Sequence, residues 1–225
     1  FAGLVYDEYA TGVDGIDQGS LVDLDPADFG TYTVDACFDF GRRRPAFLLL
    51  AEVPGIASDG SSGDVVIEEL VAADILEERW LEECAELCRE LGVVVRHAYC
   101  DPAGRARNAQ TGISSVDALR RAFEEGGAMS GGIQWPSSVY ERSIASGIEA
   151  MSSRLRSASG VRRLFVERRL TEPARLRRYP RGVVGIHGSL AGYVWPDKPG
   201  KEEPIKDGGH DHFVDCLRYG LGCKY

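Results

Sequence analysis

Between Thr31 and Cys100 the hydrophobic period of this chain switches from strand to helix and back, which sharply limits the folds open to it. Thr31–Phe40 (TYTVDACFDF) is β-branched and aromatic, Ala46–Val53 (AFLLLAEV) is almost wholly apolar, and Asp64–Leu70 (DVVIEEL) is a third extended run. Gly41 and three arginines halt the first run, and the polar stretch PGIASDGSSGD separates the other two. An antiparallel meander of three strands is therefore predicted. From Ala73 to Leu91 the apolar residues Ile75, Leu76, Trp80, Leu81, Cys84, Leu87, Cys88 and Leu91 recur at three and four, marking one helix face. Gly92 stands where a C-terminal cap belongs. Val93–Cys100 (VVVRHAYC) then reads as a buried parallel strand reached by a helical crossover.

Later segments fit the same plan. Ser115–Phe123 starts a helix with Asp117 near its N-terminus, and the glycine-rich EEGGAMSGG that follows reads as a mobile loop. Helical period resumes over Ser138–Leu155, Val161–Val166 is a short strand, and Leu190–Trp195 is expected to be another. Residues 171–186 are rich in arginine and proline and are left unassigned, and Pro196–Gly209 reads as a polar loop. His210–Leu221 closes the chain as a helix. The sum is an α/β fold whose mixed central sheet, three antiparallel strands and then parallel ones, is flanked by helices.

Composition excludes several classes. The 225 residues are 44% hydrophobic and 27% charged, which supports a folded core rather than disorder. No apolar run approaches the roughly 18–20 residues of a membrane span. The opening FAGLVYDEYA has neither an initiator Met nor a signal pattern, so the chain reads as part of something longer. Six cysteines without a CxxC pair read as core residues in a reducing compartment. The net charge of −9 is unevenly spread: residues 1–100 carry 6 Lys and Arg against 21 Asp and Glu, and the remainder 20 against 14. Such a chain can bind a polyanion if its arginines share a face, but charge alone does not decide the partner.

Aspartates at particular places carry the chemistry. Asp39 ends the first strand, Asp101 ends the fourth, and Asp211 and Asp215 lie one turn apart on the closing helix. In α/β sheets, sites assemble at the carboxyl ends of strands. Clustered carboxylates ionise together only around a cation, and oxygen ligands suit Mg²⁺ or Mn²⁺. Two such ions would clamp a phosphodiester for attack by water.

These residues resemble a known family. Asp39-Phe40-Gly41, the element Tyr99-Cys100-Asp101-Pro102-Ala103-Gly104 and the closing run His210-Asp211-His212-Phe213-Val214-Asp215-Cys216-Leu217-Arg218-Tyr219 are similar to the nuclease half of a tailed-phage terminase large subunit. The last run matches that family's DHxxDALRY pattern with Cys in place of Ala. Gly3-Leu4-Val5-Tyr6, Ser146-Gly147-Ile148 and Pro204-Ile205-Lys206 are lesser echoes.

The resemblance implies an RNase H-like fold over residues 31–225, preceded by a lead-in segment over 1–30. It implies an endonuclease cutting concatemeric viral DNA during packaging, with two Mg²⁺ or Mn²⁺ ions. Asp39, Asp101 and Asp211 would be ligands, with Asp215 a ligand or a supporting carboxylate; which acid of the helix is primary stays open. His210 and His212 would flank that site and could touch DNA or metal, with a surface position the favoured reading for each. The implied partners are double-stranded DNA, a terminase ATPase domain, a small terminase subunit and a portal protein, in the host cytoplasm and outside the mature virion. No GxxxxGK[ST] loop occurs, so these residues do not contain the ATPase.

Arg42, Arg43 and Arg44 follow one ligand-bearing strand, and Arg105 and Arg107 follow the other. With Lys206, whose other reading is charge balance at the site, they are the candidates for phosphate contacts, giving salt-sensitive binding with little sequence preference. Gly126–Gly132 and Arg168–Arg181 have no counterpart in the pattern and read as loops or insertions. One of Glu68 and Glu69 could face the site, but solvated acids of an edge strand are the favoured reading, and Trp80 is expected as core. Two other readings stand beside the first: another RNase H-like nuclease such as a junction resolvase, and a non-catalytic docking domain.

Overall fold

A computed structural model describes residues 3–9, 19–40, 44–107, 112–135, 144–172, 179–197 and 203–225. The expected meander is present as β2 (Thr33–Asp39), β3 (Ala46–Val53) and β4 (Gly63–Val71), after a two-residue strand β1 (Leu21–Val22). Helix α1 (Glu77–Glu90) crosses over to β5 (Val95–Cys100). Gly92 takes the left-handed φ of +66° that ends α1, a conformation open to glycine at little cost. Then come α2 (Ser115–Arg120), β6 (Ile133–Gln134), α3 (Ile144–Leu155), β7 (Leu164–Glu167), α4 (Ile186–Gly192) and α5 (Asp211–Lys224).

The sheet order is β1-β7-β4-β3-β2-β5-β6. Only β3 runs against the rest, since β2 pairs in parallel with β5, β4 with β7, β7 with β1, and β5 with β6. Both faces are covered, which is why β3 is apolar along nearly its whole length. On one face Ala36, Phe38, Phe47 and Ile67 pack with Trp80 and Cys84 of α1 and with Leu119 and Phe123. On the other, Cys37, Leu48 and Leu50 meet Met151 of α3 and Phe213, Cys216 and Leu217 of α5. Each fully buried large side chain contributes roughly 1.5–3 kcal/mol.

Three expectations need correction. Leu190–Trp195 is not a strand: Ile186 and Leu190, one turn apart, are both buried, and Leu190–Gly192 finishes α4, leaving a single bridge from Val194 to Leu4. Glu68 and Glu69 are buried rather than solvated, because β7 and β1 extend the sheet beyond β4 and turn the expected edge into interior. The glycine-rich stretch is laced to β5: the amide of Val95 donates to the Ala128 carbonyl (2.9 Å), and that of Ser130 donates to the Val95 carbonyl (2.8 Å). In the other segment without a counterpart, Arg168 and Arg169 pair with Asp23 and Glu167, while residues 173–178 lie outside the described residues. From the lead-in segment, Tyr6 and Phe29 are fully buried in the two cores.

Candidate active site

Phe38 of β2 is in register with Cys100 of β5, so the next residues, Asp39 and Asp101, emerge from adjacent strand ends. The Asp101 carboxylate accepts a hydrogen bond from the Ala103 amide (2.8 Å), tightening the turn Pro102–Arg105. Phe40 packs onto that turn at Gly104, where a Cβ would lie 2.5 Å from the ring. Glycine at 104 thus lets the two loops close on each other.

Helix α5 crosses β2 and β5 with its first turns over these strand ends. Asp211 and Asp215 are buried with 7% of their surface exposed, on one side of the helix. Asp215 accepts from Lys206 Nζ at 2.9 Å through Oδ2, and from Arg218 Nη2 and Nε at 3.1 and 3.3 Å through Oδ1. Among the described residues, Asp211 Oδ1 is buried without a hydrogen-bond partner.

His212 departs from the surface position expected of it. It is largely buried, with Nδ1 3.1 Å from Asp39 Oδ2. Burial would lower its pKa, but Asp39 outweighs burial and raises it above the usual imidazole value. Burial raises the Asp39 pKa; the contact with His212 works against this, and the nearby charges of Asp215 and Asp101 add to it. His210 instead contacts Asp207, with Nδ1 2.6 Å from Oδ2.

Two residues of α5 were given no role on sequence grounds. Arg218 is buried beside Asp215, its stem lying where a Cβ on Gly147 of α3 would come within 2.5 Å of Cγ and Cδ. Tyr219, one turn beyond Asp215, has its hydroxyl pKa raised by burial and then by the charges of Asp215, Asp101 and Asp39, with Arg218 opposing. Its i+4 spacing from Asp215 was the legible signal.

The basic candidates separate into different settings. Arg44 donates to the carbonyls of Gly208 and Arg181, tying two loops beside the site, so its guanidinium has structural partners. Arg105 lies over the Trp135 ring at 4.1 Å, and Arg107 is exposed. Arg42 and Arg43 lie outside the described residues.

Among the described residues, no three His, Cys, Asp or Glu side chains are closed around a single point as a metal cage. The donor chemistry nonetheless fits a hard divalent cation: carboxylates crowd one strand end, Asp39 is unfavourably charged, and Asp211 presents an unmet buried oxygen.

No protein-family model matches the sequence, and no curated protein is significantly similar to it. Solved structures do match. The P22 large terminase nuclease domain aligns over 99% of this chain and 92% of its own, with a TM-score of 0.59 and 15% identity. The large terminase nuclease domain of bacteriophage SPP1, solved with bound Mn, aligns over 98% of each chain, with a TM-score of 0.50 and 15% identity. The fold is that of a phage large-terminase nuclease domain. The structural match spans the lead-in segment as well as the sheet. Among the described residues, the terminase-like chain has no helix long and apolar enough to cross a membrane.

Proposed function

We propose that this chain is a metal-dependent DNA endonuclease, the cutting domain of a viral packaging machine that severs concatemeric DNA. One observation supports the reading: Asp39 and Asp101 leave adjacent strand ends, and α5, which carries Asp211 and Asp215, meets Asp39 through His212 in this fold. Asp39, Asp101 and Asp215 would hold the divalent ions, with Asp211 beside them. The charges of Asp215 and Asp101 both raise the Asp39 pKa, which supports Asp215 as the helix acid that would join Asp39 and Asp101. Two Mg²⁺ or Mn²⁺ ions bound there would activate water and stabilise the leaving oxygen of a phosphodiester. His212 orients the Asp39 carboxylate, and Arg218 fixes that of Asp215.

Arg105 and Arg107 would meet the DNA backbone without reading bases, which makes binding steeply dependent on salt. In this role the domain works with an ATPase domain, a small terminase subunit and a portal in the host cytoplasm, and the substrate is double-stranded DNA. The test is plasmid cleavage with Mg²⁺, Mn²⁺ or EDTA, comparing wild type with Asp39→Ala and Asp101→Ala. Nicking and linearisation that require the metal and vanish in both variants are expected. An intact plasmid in every metal, with no heat of metal binding by calorimetry, would replace this reading with a docking domain.

A further inference from the structure

The two cations on Asp215 are not equivalent. Arg218 is buried between α5 and α3, its stem against Gly147 and its guanidinium 4.8 Å from the Tyr219 ring centre. It cannot leave without repacking the helix pair. Lys206 comes from the non-helical segment before α5, and its side chain is 53% exposed. Its four-carbon stem is free to carry the ammonium several ångströms. Lys206 Nζ sits 2.9 Å from Asp215 Oδ2, on the oxygen that Arg218 leaves open.

On the reading proposed above, Asp215 would also hold a divalent ion, and Oδ2 is the oxygen that buried Arg218 does not occupy. An ammonium and a divalent cation on one carboxylate oxygen repel each other strongly in a site partly removed from water. Close by, Asp211 Oδ1 is buried with no donor, so the acids retain unmet capacity for positive charge even with Lys206 in place. We infer that Lys206 is an exchangeable resident cation. It keeps Asp215 neutralised while the site holds no metal, is displaced when a divalent ion binds, and then takes a phosphate of the DNA backbone. Metal and DNA binding are thereby linked: the ion that occupies Asp215 frees the lysine that grips the substrate.

The experiment is calorimetric titration of Mn²⁺, without DNA, into wild type, Lys206→Met and Lys206→Arg, with Asp215→Asn as the control lacking the charged ligand. Removing the competing charge should tighten Mn²⁺ binding to Lys206→Met by roughly 5- to 150-fold, the usual span of coupling between sites. Lys206→Arg should stay near wild type. A second arm measures binding of a short duplex at increasing salt, with saturating Ca²⁺ as the divalent ion. There Lys206→Met should lose about 0.9 from the slope of log K against log salt, one phosphate contact. Equal or weaker Mn²⁺ binding by Lys206→Met than by a wild type that binds the ion overturns the exchange and leaves the nuclease reading standing. An unchanged salt slope overturns the transfer to phosphate. Absence of Mn²⁺ binding in wild type and every variant overturns both the exchange and the metal-dependent reading beneath it.

Discussion

The two ends of α5 each lie over a cluster of acids, yet the clusters are finished differently. At the far end, Lys224 Nζ reaches Asp64 at 2.6 Å, Glu52 at 3.2 Å and Asp35 at 3.8 Å. Arg96 takes Asp35 with two nitrogens at 2.6 and 3.0 Å, while Arg154 at 2.7 Å and the Tyr225 hydroxyl at 3.0 Å complete Asp64. Asp35 and Asp64 are wholly buried, and both oxygens of each have donors. At the near end, among the described residues, an Asp211 oxygen has none, Asp39 is held by a single histidine, and one of the two cations on Asp215 is half-exposed. Charges removed from water are tolerated when fully partnered, as at the anchor end. The near end stays short of positive charge, which is what the proposed uptake of cations requires.

Exchanging the roles of the two clusters gives the largest effects. Asp64→Ala should lower stability by roughly 3–5 kcal/mol, because it removes the carboxylate closest to Lys224 and the one that pairs with Arg154. Plasmid cleavage per folded molecule should persist. Asp39→Ala should abolish cleavage while changing stability by no more than about 1 kcal/mol, since it also removes repulsion from Asp215 and Asp101. Denaturant unfolding of both variants checks this, and equal losses of stability would erase the contrast between the two ends.

Glu69 sharpens the comparison, because it is as buried as the anchor acids but is held by neutral donors. The Tyr179 hydroxyl and the Ile186 amide each donate to it at 2.6 Å. Burial pushes its carboxyl up to about 7, the two hydrogen bonds opposing the shift. Between about 4.5 and about 7 the folded protein keeps a proton that the unfolded chain has released, so this group's contribution to stability falls as pH rises through that window. The loss amounts to roughly 3 kcal/mol. Unfolding free energies at pH 5 and pH 7.5 should show it, and Glu69→Gln should flatten the difference.

The smallest effect lies midway along α5, where close approach rather than charge sets the height of the helix. A Cβ on Gly220 would run into Cys37 Sγ of β2. Gly220→Ala should therefore destabilise by about 1–3 kcal/mol through overpacking, against a gain of about 1 kcal/mol in helix propensity. Adding Cys37→Ala should recover most of the loss, which a double-mutant cycle by thermal or chemical unfolding would measure.

Much of this was legible because period and punctuation are local properties. Ala46–Val53 is observed with the bounds read from its apolar run, and α1 starts only four residues later than its periodic face. The two-residue strands β1 and β6 carry no periodic signal, and both exist only because a neighbouring strand offers hydrogen-bonding groups. Glu69 looked like a surface acid since nothing near it in the chain announces that β7 will cover its strand. His212 looked like a surface histidine because its partner, Asp39, stands 173 residues away.

The sequence by itself determined the order of strands and helices, the place of Asp39 and Asp101 at strand ends, and the shared helix face of Asp211 and Asp215. Those follow from periods of two and 3.6 and from where the runs stop. Only the tertiary structure decided that Asp215 neighbours Asp39, that Arg44 ties loops while Lys206 holds an acid, and that Asp35 and Asp64 form an anchor. Such pairings depend on distances through space, which spacing along a chain does not encode.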